Sequence, residues 1–153
     1  MSKNSQLLNG VRTALFLCTP LLLLLSNLYL LATPAFVSYE YSKPQFPPAD
    51  LYDAAERFSL AEATVHYLRS NERPDYLTSL QSRGRAVFNA REIKHLVDVK
   101  VVMHGAFWIQ GVCAVLVALA IAVSWRHARW AQALQAVYQG CAALLALWIT
   151  IGI

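Results

Sequence analysis

Three apolar blocks, residues 14–37, 101–124 and 130–153, constrain this chain more than anything else in it. Each is long enough to cross a hydrocarbon core, which takes about 20 helical residues. A chain in lipid must satisfy its own backbone groups, so blocks of this length read as helices. Pro20, Ser26 and Asn27 interrupt the first block, His104 and Gln110 the second, and Gln132, Gln135 and Gln139 the third. The pattern predicts an all-α integral membrane protein with three transmembrane helices and an outer-face helical loop domain. Its parts in order are a tail (1–13), a first span (14–37) and an extracytoplasmic domain (38–99) with helices near 53–70 and from 89. A second span (100–124), a turn (125–129) and a third span (130–153) follow. The first block is about twice the length of a secretory h-region and two spans follow it, so it reads as an uncleaved anchor.

The formal net charge of +4 invites a nucleic-acid reading, which the distribution of charge removes. All nine acidic residues lie between Glu40 and Asp98, and nine of the thirteen Lys and Arg lie between Lys43 and Lys100. The long loop is therefore neutral, and the excess is Lys3, Arg12, Arg126 and Arg129, all flanking spans. Basic residues at membrane flanks mark the cytoplasmic side, so the N-terminus and the 125–129 turn are expected inside and Ile153 at the outer face. Trp125 and Trp130 at that turn fit an interfacial aromatic belt. Cys18, Cys113 and Cys141 all fall in spans, which argues against disulfides and thiolate metal sites. Neither a Gly-rich phosphate loop nor a Gly-x-Ser-x-Gly elbow occurs, and no metal or cofactor is called for.

Within the loop, Tyr39 to Pro48 carries three Pro in five residues, which hold the backbone extended. It reads either as a stiff linker or as a shaped wall beside the membrane. Asp53 and Glu56 form a capping-box pattern opening a helix to about Ser70, with Phe58, Ala61, Val65 and Leu68 as its apolar stripe. His66 lies off that stripe, on the exposed side. Residues 75–88 read as irregular, with a turn at Arg83-Gly84-Arg85. Asn89 and Glu92 form a second capping box, and the helix they open runs without Pro into the second span.

That helix carries the densest chemistry. Glu92, His95 and Asp98 recur at i, i+3 and i+6, so they share one face. An imidazole between carboxylates just outside an apolar boundary is equipped for general acid–base work near neutral pH. The plainer alternative is a solvated helix whose charges pair locally. His104 stands nine residues further on, about 180° round the helix and roughly 13 Å along it, and so reads as a packing histidine. In the spans, Ala114, Ala118 and Ala122 form a small-residue face for helix association. Gln132, Gln135 and Gln139, continued by Ala142, Ala143 and Ala146, form a side expected to face another helix or a polar cavity.

Three segments carry a likeness: Tyr41-Ser42-Lys43-Pro44-Gln45-Phe46-Pro47-Pro48, then Glu56-Arg57 with Tyr67-Leu68, then Phe88-Asn89-Ala90-Arg91-Glu92-Ile93-Lys94-His95-Leu96-Val97-Asp98-Val99-Lys100. In this order they resemble a bacterial integral-membrane family that includes the lipoprotein intramolecular transacylase. The likeness implies an acyltransferase of the cytoplasmic membrane that moves an acyl chain from the diacylglyceryl group of a lipoprotein to its N-terminal cysteine amine. It implies His95 as the catalytic residue, supported by Glu92, Asp98, Asn89 and Lys100, with Tyr41, Phe46 and Pro47 as the substrate wall. Membrane lipid and the lipid-modified lipoprotein are the implied partners. Members continue through a further outer-face segment and a fourth span bearing a second histidine. On that basis this chain reads as shortened, with little turnover of its own. The alternative is a non-catalytic membrane protein acting as an assembly partner through its alanine and glutamine faces; a transporter subunit is a weaker third reading.

The topology has a direct test. A Ser79→Cys variant in cells with opened outer envelopes is expected to react with an impermeant thiol reagent from outside. Labelling only after the inner membrane is lysed would reverse the assignment.

Overall fold

A computed structural model describes residues 3–47 and 52–152. Pro48, in the proline segment, and Ile153, at the end of the third block, lie outside the described residues. Among the described residues, six helices follow in order: α1 (Lys3–Leu31), α2 (Pro34–Tyr41), α3 (Ala54–Arg69), α4 (Asp75–Ser79), α5 (Ala90–Arg126) and α6 (Trp130–Ile151). A two-stranded hairpin, β1 (Gln81–Ser82) and β2 (Arg85–Ala86), sits between α4 and α5. Three helices, α1, α5 and α6, are long and apolar enough to cross a membrane. The chain divides into two compact units, Met1–Asn27 with Trp108–Ile153, and Leu28–Phe107, the division falling within α1 and α5.

In the first unit, Leu15 of α1, Ala120 of α5, and Ala133 and Ala136 of α6 form the buried cluster, with Val11, Val117 and Val137 against it. The packing turns on a proline and a glycine. Pro20 lies inside α1 and has no N–H, so the carbonyl of Phe16, four residues earlier, loses its usual intrahelical partner. Gly140 of α6 seats its backbone on that same carbonyl, and a Cβ at this position would overlap the Phe16 oxygen. In lipid, such close approach of small residues is what draws helices together. Gln110 donates to the Ser26 hydroxyl at 3.2 Å, joining α5 to α1.

The face of α6 that packs is thus Ala133, Ala136 and Gly140, one step round from the glutamine side. Gln132, Gln135 and Gln139 are exposed, and of the two surroundings expected for that side, a helix or a polar cavity, Gln139 has the second. On α5 the same shift holds. Cys113, Ala120 and Ser124 are buried, while Ala114, Ala118 and Ala122 are exposed. Small residues occur on both faces of each helix, and the side that meets a partner was decided by where Gly140 permits contact.

In the second unit, the first apolar block does not stay helical to residue 37. α1 ends at Leu31, and Thr33 caps a new helix by accepting from the Phe36 N–H at 3.2 Å, with Pro34 in the first helical position. Proline disfavours helical backbone in the residue before it and suits the first turn of the helix it opens, so Thr33-Pro34 is a break and a restart together. Residues 75–88 also differ from the irregular expectation. They hold α4 and the hairpin, whose two-residue turn places Arg83 and Gly84 at positive φ (51° and 75°). That pair of values is the primed turn whose twist suits a tight hairpin.

α3 buries Tyr67 rather than the centre of its stripe; Phe58, Ala61, Val65 and Leu68 are half-buried. Tyr67 is 1% exposed and stacks on Tyr76 with ring planes 5° apart. Burial pushes its phenol pKa up, since the charged form would lose water. At the start of α3, Asp53 accepts from the Glu56 N–H at 2.8 Å. Glu56 does not return the favour. Its carboxylate accepts from the Ser82 hydroxyl and pairs with Arg83 at 3.4 Å, holding the hairpin against the helix.

The glycine contact yields a paired test. Gly140→Ala is expected to destabilise the protein by about 1–3 kcal/mol through overpacking, seen as a lower midpoint in detergent denaturation. Gly111→Ala, where an added Cβ meets nothing within 4 Å, is expected to leave the midpoint in place.

Candidate functional site

The start of α5 is built as the sequence pattern requires. Asn89 Oδ1 accepts from the N–H groups of Arg91 and Glu92, both at 3.0 Å, and Glu92 Oε2 accepts from the Asn89 N–H at 2.8 Å. This reciprocal cap satisfies donors that a helix start leaves free. α5 then continues unbroken for 37 residues, about 55 Å. A hydrocarbon core takes only about 30 Å of that. The charged first turns, from Ala90 to Lys100, are the part that lipid does not require.

His95 lies in the second turn and lines an open cavity of about 950 Å³. Asn89, Arg91, Glu92 and Leu96 line it from the same helix, with Val87 and Phe88 just before. Arg57, Leu60, Ala61 and Thr64 of α3 form the facing wall, and Tyr41 and Tyr52 close one side. A second cavity of about 660 Å³ shares Tyr41, Tyr52 and Arg57 with the first and is lined further by Lys43, Phe46, Pro47 and Phe58.

Arg57 organises the partition between the two. Its Nη1 donates to the Pro47 carbonyl at 2.6 Å. Its guanidinium lies over the rings of Phe46 (4.7 Å) and Tyr41 (5.5 Å), which themselves stand 4.2 Å apart. A planar cation between aromatic faces fixes those rings while keeping further N–H donors for a ligand. Beyond it, Lys43 pairs with Glu40 at 2.6 Å, and that hydrogen bond pushes its ammonium pKa up.

The structure brings together some expected site residues and separates others. His95, Glu92, Asn89 and Tyr41 line the larger cavity, while Phe46 and Pro47 line the adjoining one. Asp98 is exposed and lines neither. Among the described residues, His95 forms no hydrogen bond to Glu92 or Asp98, and Glu92 is engaged by the helix cap. Lys100 points to structure: it donates to the Glu72 carbonyl at 2.6 Å and lies over the Tyr67 ring at 4.0 Å. His104 Nε2 meets the Leu68 carbonyl at 3.0 Å, the packing role expected for it. His66 is exposed, against Tyr76. Among the described residues no cluster of His, Cys, Asp or Glu is suited to a metal.

Sequence reasoning gave no site role to Arg57, Arg91, Tyr52 or Thr64. Arg57 was visible only as half of the Glu56-Arg57 pair, and its register one turn after the Asp53 cap was the usable signal.

A helical membrane protein with three spans and a histidine-lined cavity at the polar head of its second span is the class these features define. The chain belongs to the family described as lipoprotein intramolecular transacylase Lit, whose model matches residues 13–153, nearly its whole length. No curated protein and no solved structure matches it.

The cap that positions His95 is open to test. Asn89→Ala is expected to cost about 1 kcal/mol of local helix stability, read as faster amide hydrogen exchange at Arg91 and Glu92. Asn89→Asp retains the accepting oxygen and is expected to keep parental protection.

Proposed function

We propose that this chain is a bacterial membrane protein that moves an acyl chain within a lipoprotein, from the diacylglyceryl group to the N-terminal cysteine amine, with His95 as the acid–base residue. The observation that carries this reading is the position of His95 on a cavity large enough for lipid and peptide ends, at the charged head of a span. Membership in the transacylase family supplies the substrate class.

The chemistry asks for two proton movements. The amine nitrogen attacks the ester carbonyl, and the new C–N bond forms as nitrogen gives its proton to the imidazole. The C–O bond to glycerol then breaks, and the imidazolium returns that proton to the departing alkoxide, leaving an amide and a free glycerol hydroxyl. No net proton is consumed, so one histidine completes the cycle. Arg57 and Arg91 on the cavity wall are cations available to the oxyanion that develops on the carbonyl oxygen. Both reacting ends belong to one lipid-anchored molecule, and holding them together converts the step into an effectively unimolecular one. The shared Tyr41–Arg57 partition gives the two cavities a natural division between acyl chain and head. The bacterial cell membrane, with the N-terminus cytoplasmic and residues 38–99 outside, is the placement that goes with this reading.

The exposed Ala114, Ala118 and Ala122 face favours a second reading, in which this chain is an assembly partner for another helix. Mass spectrometry of lipoprotein N-termini separates the two. His95→Ala is expected to lower formation of N-acylated, S-monoacylglyceryl product by about 10²–10⁴-fold with protein level intact. Glu92→Gln is expected to cost more than Asp98→Asn, because only Glu92 lines the cavity. Parental activity in His95→Ala removes the histidine from the mechanism. Unchanged lipoproteins in cells with and without the parent chain favour the partner reading.

A further inference from the structure

We propose that a second, separate cavity in the first unit seats the phosphate of an anionic phospholipid. It is an open groove of about 580 Å³ between α1 and α6, and its lining side chains other than Ala136 are exposed. Asn9, Arg12 and Thr13 of α1 and Gln139 of α6 give it four polar side chains, with Phe16 and Leu17 as the apolar part of its wall. None of these residues belongs to the cavity around His95.

Three observations select the ligand. Arg12 forms no ion pair or hydrogen bond among the described residues. No residue of its own unit is able to neutralise it: Met1–Asn27 and Trp108–Ile153 contain four Lys and Arg and not one Asp or Glu. The chain's entire charge excess is therefore in this unit, and Arg12 is exposed there to an anion from outside the chain. Depth supplies the third observation. From Thr13 to Leu31, α1 carries no charge over about 28 Å, close to the thickness of about 30 Å that a hydrocarbon core requires. Arg12 thus stands at the edge of that apolar run, at the level where phospholipid phosphates lie.

The chemistry is complementary. A guanidinium presents a fork of donors to phosphate oxygens, and the Asn9 and Gln139 amides and the Thr13 hydroxyl add further donors. Phe16 and Leu17 lie one turn deeper, where the first acyl carbons of the same lipid would run. A soluble phosphate satisfies the polar half of this wall and leaves the apolar half unused. A zwitterionic lipid brings its own ammonium group and weakens the attraction to Arg12. The fit is to a lipid with net negative charge.

Native mass spectrometry of the full chain in detergent tests this with defined probes. Dioleoyl-phosphatidylglycerol is expected to bind about fivefold more tightly than dioleoyl-phosphatidylcholine, the increment typical of one basic residue at a membrane surface. Arg12→Gln is expected to abolish that preference, and Gln139→Leu to reduce it. Gln139→Leu decides the matter should the Arg12 variant fail to insert. Arg129→Gln, which removes a cation of the same unit outside the cavity, is expected to retain the preference. Inorganic phosphate is expected not to displace the anionic lipid. Equal binding of the two lipids by the parent overturns the proposal, as does a preference that survives in Gln139→Leu and in any folded Arg12→Gln. Equal loss in Arg129→Gln reduces the effect to net charge, and displacement by phosphate assigns the seat to a soluble anion; either result also overturns it.

Discussion

The end of α1 is where the second unit is fixed. A helix leaves its last carbonyls without intrahelical donors, and in an apolar setting each such group is costly. Here Arg69 supplies them. Its Nη1 donates to the carbonyls of Ala32 (3.0 Å) and Tyr29 (3.3 Å). Its guanidinium lies 4.4 Å from the centre of the Tyr29 ring, which meets Phe107 edge-on at 5.2 Å. One side chain thus terminates α1, satisfies the break before Pro34 and anchors the last turn of α3. Its charge also sits favourably there, since a helix C-terminus carries partial negative charge.

The remaining ties of α3 have the same character. Lys100 donates to the Glu72 carbonyl and His104 to that of Leu68, both just at or beyond the last turn of α3. Arg69, Lys100 and His104 each donate to backbone oxygen. The opposite end of α3 is held differently, by Asp53 at its cap and by Glu56 to the hairpin. α3 is therefore pinned at both ends, and the stretch from Arg57 to Thr64 lines the cavity opposite α5. A rigid wall on each side is what a reaction between two tethered groups requires.

Much of this was legible in the residues, and the misses have physical causes. The three spans follow from length and hydropathy, because lipid imposes a strong and simple requirement. The Asn89–Glu92 cap is a local pattern and appears as written. Its counterpart at Asp53 is only half formed, because Glu56 found a distant partner in Ser82 and Arg83 that no local pattern announces. The Thr33-Pro34 break was present as a dipeptide but hidden inside an apolar block whose composition favoured continuity. Which helix faces pack within the chain was hidden for a related reason. Alanine and glutamine periodicity identifies faces suited to contact, yet Gly140 against the Phe16 carbonyl set the register actually used. Of the site, His95, Glu92 and Tyr41 were readable from pattern and likeness, whereas Arg57 depends on a loop oxygen ten residues away and was not.

The two histidines of α5 differ in what each ring is committed to. Nine residues separate His95 from His104, which places them on opposite sides of one helix. His104 donates Nε2–H to a carbonyl, since oxygen in that position accepts. A ring committed in this way has given up the nitrogen that faces its neighbour. His95 has no such commitment among the described residues and lines an open cavity. General acid–base work needs a ring free to accept a proton and to give it back, and a scaffold that does not depend on its protonation state. The cap at Asn89, the Arg69 anchor and the His104 tie supply that scaffold from residues other than His95. A substitution at His95 therefore removes none of these ties that hold the fold.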